Sequence, residues 1–165
     1  MAGGDVHKRW GMIMGLRALL RAVLSTWAPV DRREWRFSLN AHGRPAVEHP
    51  ASEAHFNLSH TRGLVALCLG RDPEVGVDVE RLDRAVRPLE VADRFFSPDE
   101  IADLRALPEA RHRDRFLALW TLKEAYIKAR GMGLALPLRE FSFAPDEEPP
   151  SVRFAPSLGD DAARW

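Results

Sequence analysis

Two short stretches of the chain carry the residues that could do chemistry. In Gly76-Val77-Asp78-Val79-Glu80, apolar and acidic residues alternate, as they do along a strand whose successive side chains leave opposite faces. Val75, Val77 and Val79 share one face, and Gly76, Asp78 and Glu80 share the other. Carboxylates two residues apart on one face start about 7 Å apart at the backbone, so both can lean onto one cation. Gly76 is expected to leave open space beside them. A few hard oxygen ligands suit Mg2+, which keeps several waters and takes its remaining ligands from phosphates. The same pattern also fits a solvent-facing strand with ordinary polar residues.

The second stretch is Trp120 to Gly133, WTLKEAYIKARGMG. Glu124 and Lys128 lie four apart, one above the other on a helix. Of the 24 basic residues only Lys8, Lys123 and Lys128 are lysine. A chain that writes arginine almost everywhere keeps two of its three lysines in this one segment. Lysine is a compact point charge whose pKa burial can lower, so it can release a proton, which arginine does not. Read alone, the segment fits a solvated Glu–Lys pair on a helix surface equally well.

Both stretches need elements to position them. Phe116, Trp120, Lys123 and Ile127 form one stripe of a helix that should run from about Arg111 and stop at Gly131, a residue suited to positive φ. Trp10 to Trp27 reads as an amphipathic helix with Arg17 and Arg21 opposite its apolar side, a pattern of core packing that a membrane-surface helix shares. Glu34 to Leu39 alternates like a strand, and Asn40 to Pro45 reads as a turn. Phe56 to Ser59, Leu64 to Leu69 and Val75 to Glu80, separated by short turns, predict a three-stranded antiparallel meander. Arg84 to Phe95 is expected to be helical. Ser97-Pro98-Asp99-Glu100 opens another helix, with Ser97 as N-cap, Pro98 at N1 and Glu100 closing a capping box. Phe141 to Phe143 and Val152 to Phe154 are short strands around an acidic, proline-rich loop.

The totals narrow the function classes. The 165 residues carry 24 basic against 24 acidic side chains, for zero formal net charge. That gives no electrostatic case for a general nucleic-acid binder. The length fits one compact domain or two small lobes. Cys68 is the only cysteine and lies in the apolar run LVALCLG, so it reads as a core residue in a reducing cytoplasm. No apolar run reaches the roughly 18–20 residues that span a bilayer, and arginines interrupt the one segment that could imitate a signal peptide. The histidines show no zinc-like spacing with a cysteine pair. There is no P-loop, dinucleotide fingerprint, GxSxG elbow or plausible cysteine nucleophile.

Five motifs then occur in order: Gly43-Arg44-Pro45, Phe56-Asn57-Leu58-Ser59-His60, Gly76-Val77-Asp78-Val79-Glu80, Phe95-Phe96-Ser97-Pro98-Asp99-Glu100, and Trp120 through Gly133. Each alone is weak. Together they resemble the 4′-phosphopantetheinyl transferases of the surfactin-synthetase-activating type. The resemblance implies an α+β fold of two pseudo-twofold-related lobes, each of short antiparallel sheet plus helices, here residues 1–80 and 81–165, with coenzyme A between them. It implies transfer of the phosphopantetheine arm of coenzyme A onto a serine of an apo acyl- or peptidyl-carrier protein, with Mg2+ required and 3′,5′-ADP released.

Carried over by matched position, Asp78, Glu80 and Glu124 would hold Mg2+ against the pyrophosphate. Glu124 is also the implied base for the serine hydroxyl, directly or through a water. Lys128 would touch a pyrophosphate oxygen or the leaving group, and Lys123 is matched as a further catalytic residue. Ser59 and His60 would contact the phosphates of coenzyme A, and Arg44 would stand near the 3′-phosphate where the family has lysine. The chemistry suits those residue types: attack on a pyrophosphate needs both phosphates neutralised and the nucleophile held in line.

The chain departs from the family pattern at both ends, where a first strand and its basic residues, and the last strands, have no match; Lys8 and Arg9 are loose stand-ins. Two other readings follow from the same residues. One is a non-catalytic module of this fold that binds coenzyme A or a carrier protein. The other is a metal-dependent nuclease, against which the zero net charge speaks.

Overall fold

The computed structural model describes residues 4–165, with side chains from Gly15 onward except that of Leu134. Its elements are α1 (Gly4–Trp27), β1 (Arg36–Leu39), β2 (Pro45–His49), β3 (His55–Thr61), β4 (Leu64–Gly70), α2 (Pro88–Phe95), α3 (Pro98–Ala106), α4 (Glu109–Arg130), β5 (Phe141–Ala144) and β6 (Ser151–Phe154). The strands pair as three antiparallel two-stranded ribbons, β1–β2, β3–β4 and β5–β6. The architecture is an α+β mix, as expected.

Local chemistry sets most boundaries. The α4 helix is 22 residues long and ends at Gly131, whose left-handed backbone (φ 62°) lets its N–H reach back to the carbonyls of Ile127 and Lys128. In α3, Ser97 accepts from the Glu100 N–H while the Glu100 carboxylate accepts from the Ser97 N–H, completing the capping box. The helix expected from Arg84 begins only at Pro88. A residue preceding proline is pushed out of the helical region, and Arg87 is extended at φ −103°, ψ 93°. The α1 helix starts before the expected Trp10. Ile13, Met14, Lys8 and Arg9 have side chains outside the described set.

Three buried clusters hold the elements together. Leu20 and Leu24 of α1 meet Trp35, Ala54 and Phe56 around the first two ribbons. Ala92, Phe96, Ile101, Leu104, Phe116, Leu117 and Leu119 join α2, α3 and α4, with Phe96 and Phe116 stacked at 5.2 Å between centroids. Tyr126 and Ile127 near the end of α4 meet Leu136, Leu138 and Phe141. Each such large apolar side chain contributes roughly 1.5–3 kcal/mol on burial. The α4 helix thus feeds two of these clusters.

The main correction concerns residues 75–80. They form no helix and belong to no strand ladder. The predicted meander therefore stops after β4, whose register with β3 runs from His55↔Gly70 to Thr61↔Leu64. Sequence alternation fits any extended segment and does not name its partner. A second correction is Gly76. A Cβ built there would lie 2.0 Å from the Ala125 carbonyl oxygen and 2.7 Å from the Ala129 nitrogen. The glycine does not open space; it allows residues 75–80 to touch the backbone of α4.

Candidate functional site

Gly76 brings the acidic segment against the turn of α4 that carries Glu124 and Lys128. Asp78 is the centre of the resulting group. Its Oδ1 accepts from Lys128 Nζ at 2.5 Å and from Ser59 Oγ at 2.8 Å. Lys128 Nζ is also 2.9 Å from Ser59 Oγ. The other oxygen, Oδ2, is buried without a hydrogen-bond partner. A buried acceptor left unmatched costs about 1–3 kcal/mol, more when charged. Such an orphan in a native site wants an explanation.

Glu124 sits beside this group. Burial first, then the charge of Asp78, pushes its pKa above the ordinary carboxylate value; Lys128 pulls it down, Glu80 pushes it up and Arg84 pulls it down. Glu124 therefore feels both other acids. Glu80 is paired with Arg84, four residues on. Among the described residues no three acidic, histidine or cysteine groups already form a metal-ready cluster. Asp78 and Glu80 both act electrostatically on Glu124, while Lys128 is paired with Asp78 and Arg84 with Glu80.

A cavity of about 290 Å³ opens next to the group, lined among others by Arg44, Asn57, Leu58, Glu124, Lys128 and Gly131. Arg44 enters from the β1–β2 loop. Its Nη1 donates to the Ala129 carbonyl at 2.5 Å, and its Nη2 to those of Pro73 at 2.6 Å and Val75 at 3.2 Å. Arg44 thus clamps the end of α4 to the start of the acidic segment. Burial lowers its pKa, with Glu74 opposing. Asn40 assists: its Nδ2 donates to the Gly131 carbonyl at 2.9 Å, and its Oδ1 accepts from the amides of His42 and Arg44.

Two residues expected at the site lie elsewhere. His60 follows buried Ser59 on β3, so it faces outward, and it is exposed. Lys123 is fully buried on the other side of α4. Its ammonium pairs with Glu100 Oε2 at 2.8 Å and donates to the carbonyls of Leu138 at 2.7 Å and Phe141 at 2.6 Å. All three N–H donors are used there. Burial lowers its pKa and Glu100 opposes this. One helical residue is about 100° of rotation, so Lys123 faces the core while Glu124 turns to Asp78. Glu100 also accepts from the Phe143 amide at 3.0 Å, and the network joins α3, α4 and β5.

In the sequence Asn57 stands out only as a member of the motif Phe56 to His60. It is 4% exposed, and its Oδ1 accepts from the Val77 N–H at 3.1 Å. No local signal marks that contact, because donor and acceptor are twenty residues apart.

The sequence that builds this site has known relatives. A family model described as the 4′-phosphopantetheinyl transferase superfamily matches residues 74–164, which include the acidic segment and all of α4. The chain belongs to that superfamily. It is 39% identical over 126 residues to the 4′-phosphopantetheinyl transferase Sfp of Bacillus subtilis (strain 168), covering 75% of this chain and 54% of the relative. It is 35% identical over 145 residues to the 4′-phosphopantetheinyl transferase HetI of Nostoc sp. (strain PCC 7120), covering 86% of this chain and 60% of the relative. The chain thus spans little more than half the length of these curated superfamily members. Among the described residues, no helix of this superfamily member is long and apolar enough to cross a membrane.

Proposed function

We propose that the chain transfers the 4′-phosphopantetheine arm of coenzyme A to a serine of an apo acyl- or peptidyl-carrier protein in the cytoplasm, with Mg2+ as cofactor. The observation that carries this reading is Asp78: one oxygen held by Lys128 and Ser59, the other buried and unpaired, next to a Glu124 whose proton affinity burial, and then Asp78, raises. An acidic group with an orphaned oxygen fits a divalent ion, which would be held by Asp78, Glu80 and Glu124. Bound there, Mg2+ would neutralise charge on the pyrophosphate.

The chain's own residues supply the rest. The serine oxygen attacks the phosphorus on the pantetheine side of the pyrophosphate. The bond from that phosphorus to the bridging oxygen breaks, and 3′,5′-ADP leaves with the electron pair. Glu124 takes the serine proton, directly or through a water. Lys128, once turned from Asp78, donates to a pyrophosphate oxygen, and Ser59 holds its partner oxygen in place. Arg44, already at the cavity wall, orients the nucleotide end. His60, exposed on the outer face of β3, takes no part in these steps. Residues 1–80 and 81–165 act as two lobes that share the cleft.

Incubation with coenzyme A, Mg2+ and an apo carrier protein, followed by intact mass, tests this. The expected result is a carrier heavier by one phosphopantetheine arm. Binding of coenzyme A or carrier without any mass gain would replace the transferase reading with that of a binding module.

A further inference from the structure

Residues 75–80 run beside β3 without entering its ladder, yet two of their amides, those of Val77 and Val79, find acceptors on it. The Val77 N–H donates to Asn57 Oδ1 at 3.1 Å, and the Val79 N–H to Ser59 Oγ at 3.3 Å. The two acceptors are two residues apart on one face of β3, and the two donors are two residues apart on the acidic segment. Two periods of two run in step. Side chains of β3 therefore do what a neighbouring backbone does in a sheet. Both are buried, at 4% and 5% exposure.

The substitution has a geometric consequence. A strand paired directly with β3 would lie about 4.8 Å from it. This segment instead meets β3 through those two side chains and rests against α4, where Gly76 meets the main chain of Ala125 and Ala129. Asp78 lies between the two rungs. The Ser59 rung also touches Asp78 and Lys128. The Asn57 rung meets the backbone of Val77, one residue before Asp78.

We propose that Asn57 is a positioning residue for the acidic segment: its amide oxygen fixes Val77, and so the direction in which Asp78 leaves the chain toward Lys128 and Glu124. Asparagine suits the place because it accepts a hydrogen bond without adding charge beside the acids. Aspartate keeps the acceptor, whereas leucine fills the volume and accepts nothing. The metal-binding part of the test rests on the proposed transferase reading; the backbone part does not.

Wild type, Asn57→Leu and Asn57→Asp are compared as full chains by amide hydrogen exchange and by Mn2+ binding. In Asn57→Leu the Val77 amide should exchange about tenfold faster or more, the scale of one lost hydrogen bond, while β3–β4 ladder amides such as Ala66, opposite Ser59, keep their protection. Mn2+ affinity should fall by a similar factor, and Asn57→Asp should restore both. If Asn57→Leu does not fold, Asn57→Ala, which adds no volume, is read in the same way. Val77 exchange and Mn2+ affinity within twofold of wild type would overturn the proposal. So would loss of protection throughout β3 and β4, which would make Asn57 a general core residue. If wild type binds no Mn2+, the metal reading fails, and Val77 exchange alone decides the role of Asn57.

Discussion

Lys128 Nζ lies 2.5 Å from Asp78 Oδ1, with Asp78 only 8% and Lys128 28% exposed at their side chains. The acidic segment and a helix fifty residues away are thus joined by an ion pair whose lysine lines the cavity. Removing the lysine strands a largely buried carboxylate. Breaking a fully buried pair costs roughly 3–5 kcal/mol; solvent at Lys128 reduces this to about 1–3 kcal/mol. Lys128→Met should therefore lower the melting midpoint, and Mn2+ should recover more of the loss than it adds to wild type, because the ion then meets Asp78 without a competitor. Equal stabilisation of both proteins by Mn2+ would show that the lysine and the ion do not share Asp78.

Gly76 should tolerate no side chain. A Cβ would sit 2.0 Å from the Ala125 carbonyl oxygen, and backbone on both sides leaves nothing to swing aside. Gly76→Ala should cost at least about 1–3 kcal/mol in denaturant unfolding, the usual scale of overpacking, and should reduce transfer by displacing Asp78. An unchanged unfolding midpoint would mean that the segment does not rest on α4.

The Glu100–Lys123 pair should behave as structure. Lys123 is fully buried with its three donors satisfied, so Lys123→Met leaves Glu100 charged, buried and short of a partner. A loss of roughly 3–5 kcal/mol is expected in chemical denaturation. The double variant Lys123→Met with Glu100→Gln should regain part of it, since glutamine still accepts from the Phe143 amide without a charge. Failure of the double variant to regain any stability would argue against a coupled pair.

Tyr126 is the only tyrosine, which makes its titration readable by ultraviolet absorbance. Burial, then the hydrogen bond to Asp160 at 2.5 Å, raises its pKa well above the ordinary 10.0. A folded pKa above the unfolded one means that the proton is kept on folding. The stability this lends is fully present below pH 10 and is lost as pH climbs from there toward the folded value. Folded protein at pH 10.5 should show almost no phenolate signal, and denatured protein should show most of it. Equal phenolate in both would contradict the buried Tyr126–Asp160 bond.

What the sequence made legible follows from range. The Ser97 capping box, the Gly131 stop of α4 and the β3–β4 hairpin depend on residues within a few positions of each other, and all are found as expected. Pro88 fixed the start of α2 by a local rule that the apolar pattern of residues 84–95 obscured. The alternation in residues 75–80 reads as a strand, but pairing depends on what stands opposite. There, Asn57 and Ser59 offer side chains instead of a ladder. Lys123 and Glu124 are adjacent in sequence and face different surroundings; motif matching treats them alike, and helix rotation separates them. The docking of Asn40 and Arg44 on the end of α4 spans 91 and 85 residues, and no local pattern encodes it.

The account depends most on the three acids acting through one ion. The direct measurement is intact-mass transfer onto an apo carrier protein across a range of Mg2+ concentrations, for wild type and Asp78→Asn. Wild type should gain the phosphopantetheine mass only with the divalent ion present. Asp78→Asn should be slower by about 100-fold or more, the loss of a few kcal/mol of charge stabilisation. Full transfer in a chelator, or Asp78→Asn running at the wild-type rate, would contradict the assignment of Asp78, Glu80 and Glu124.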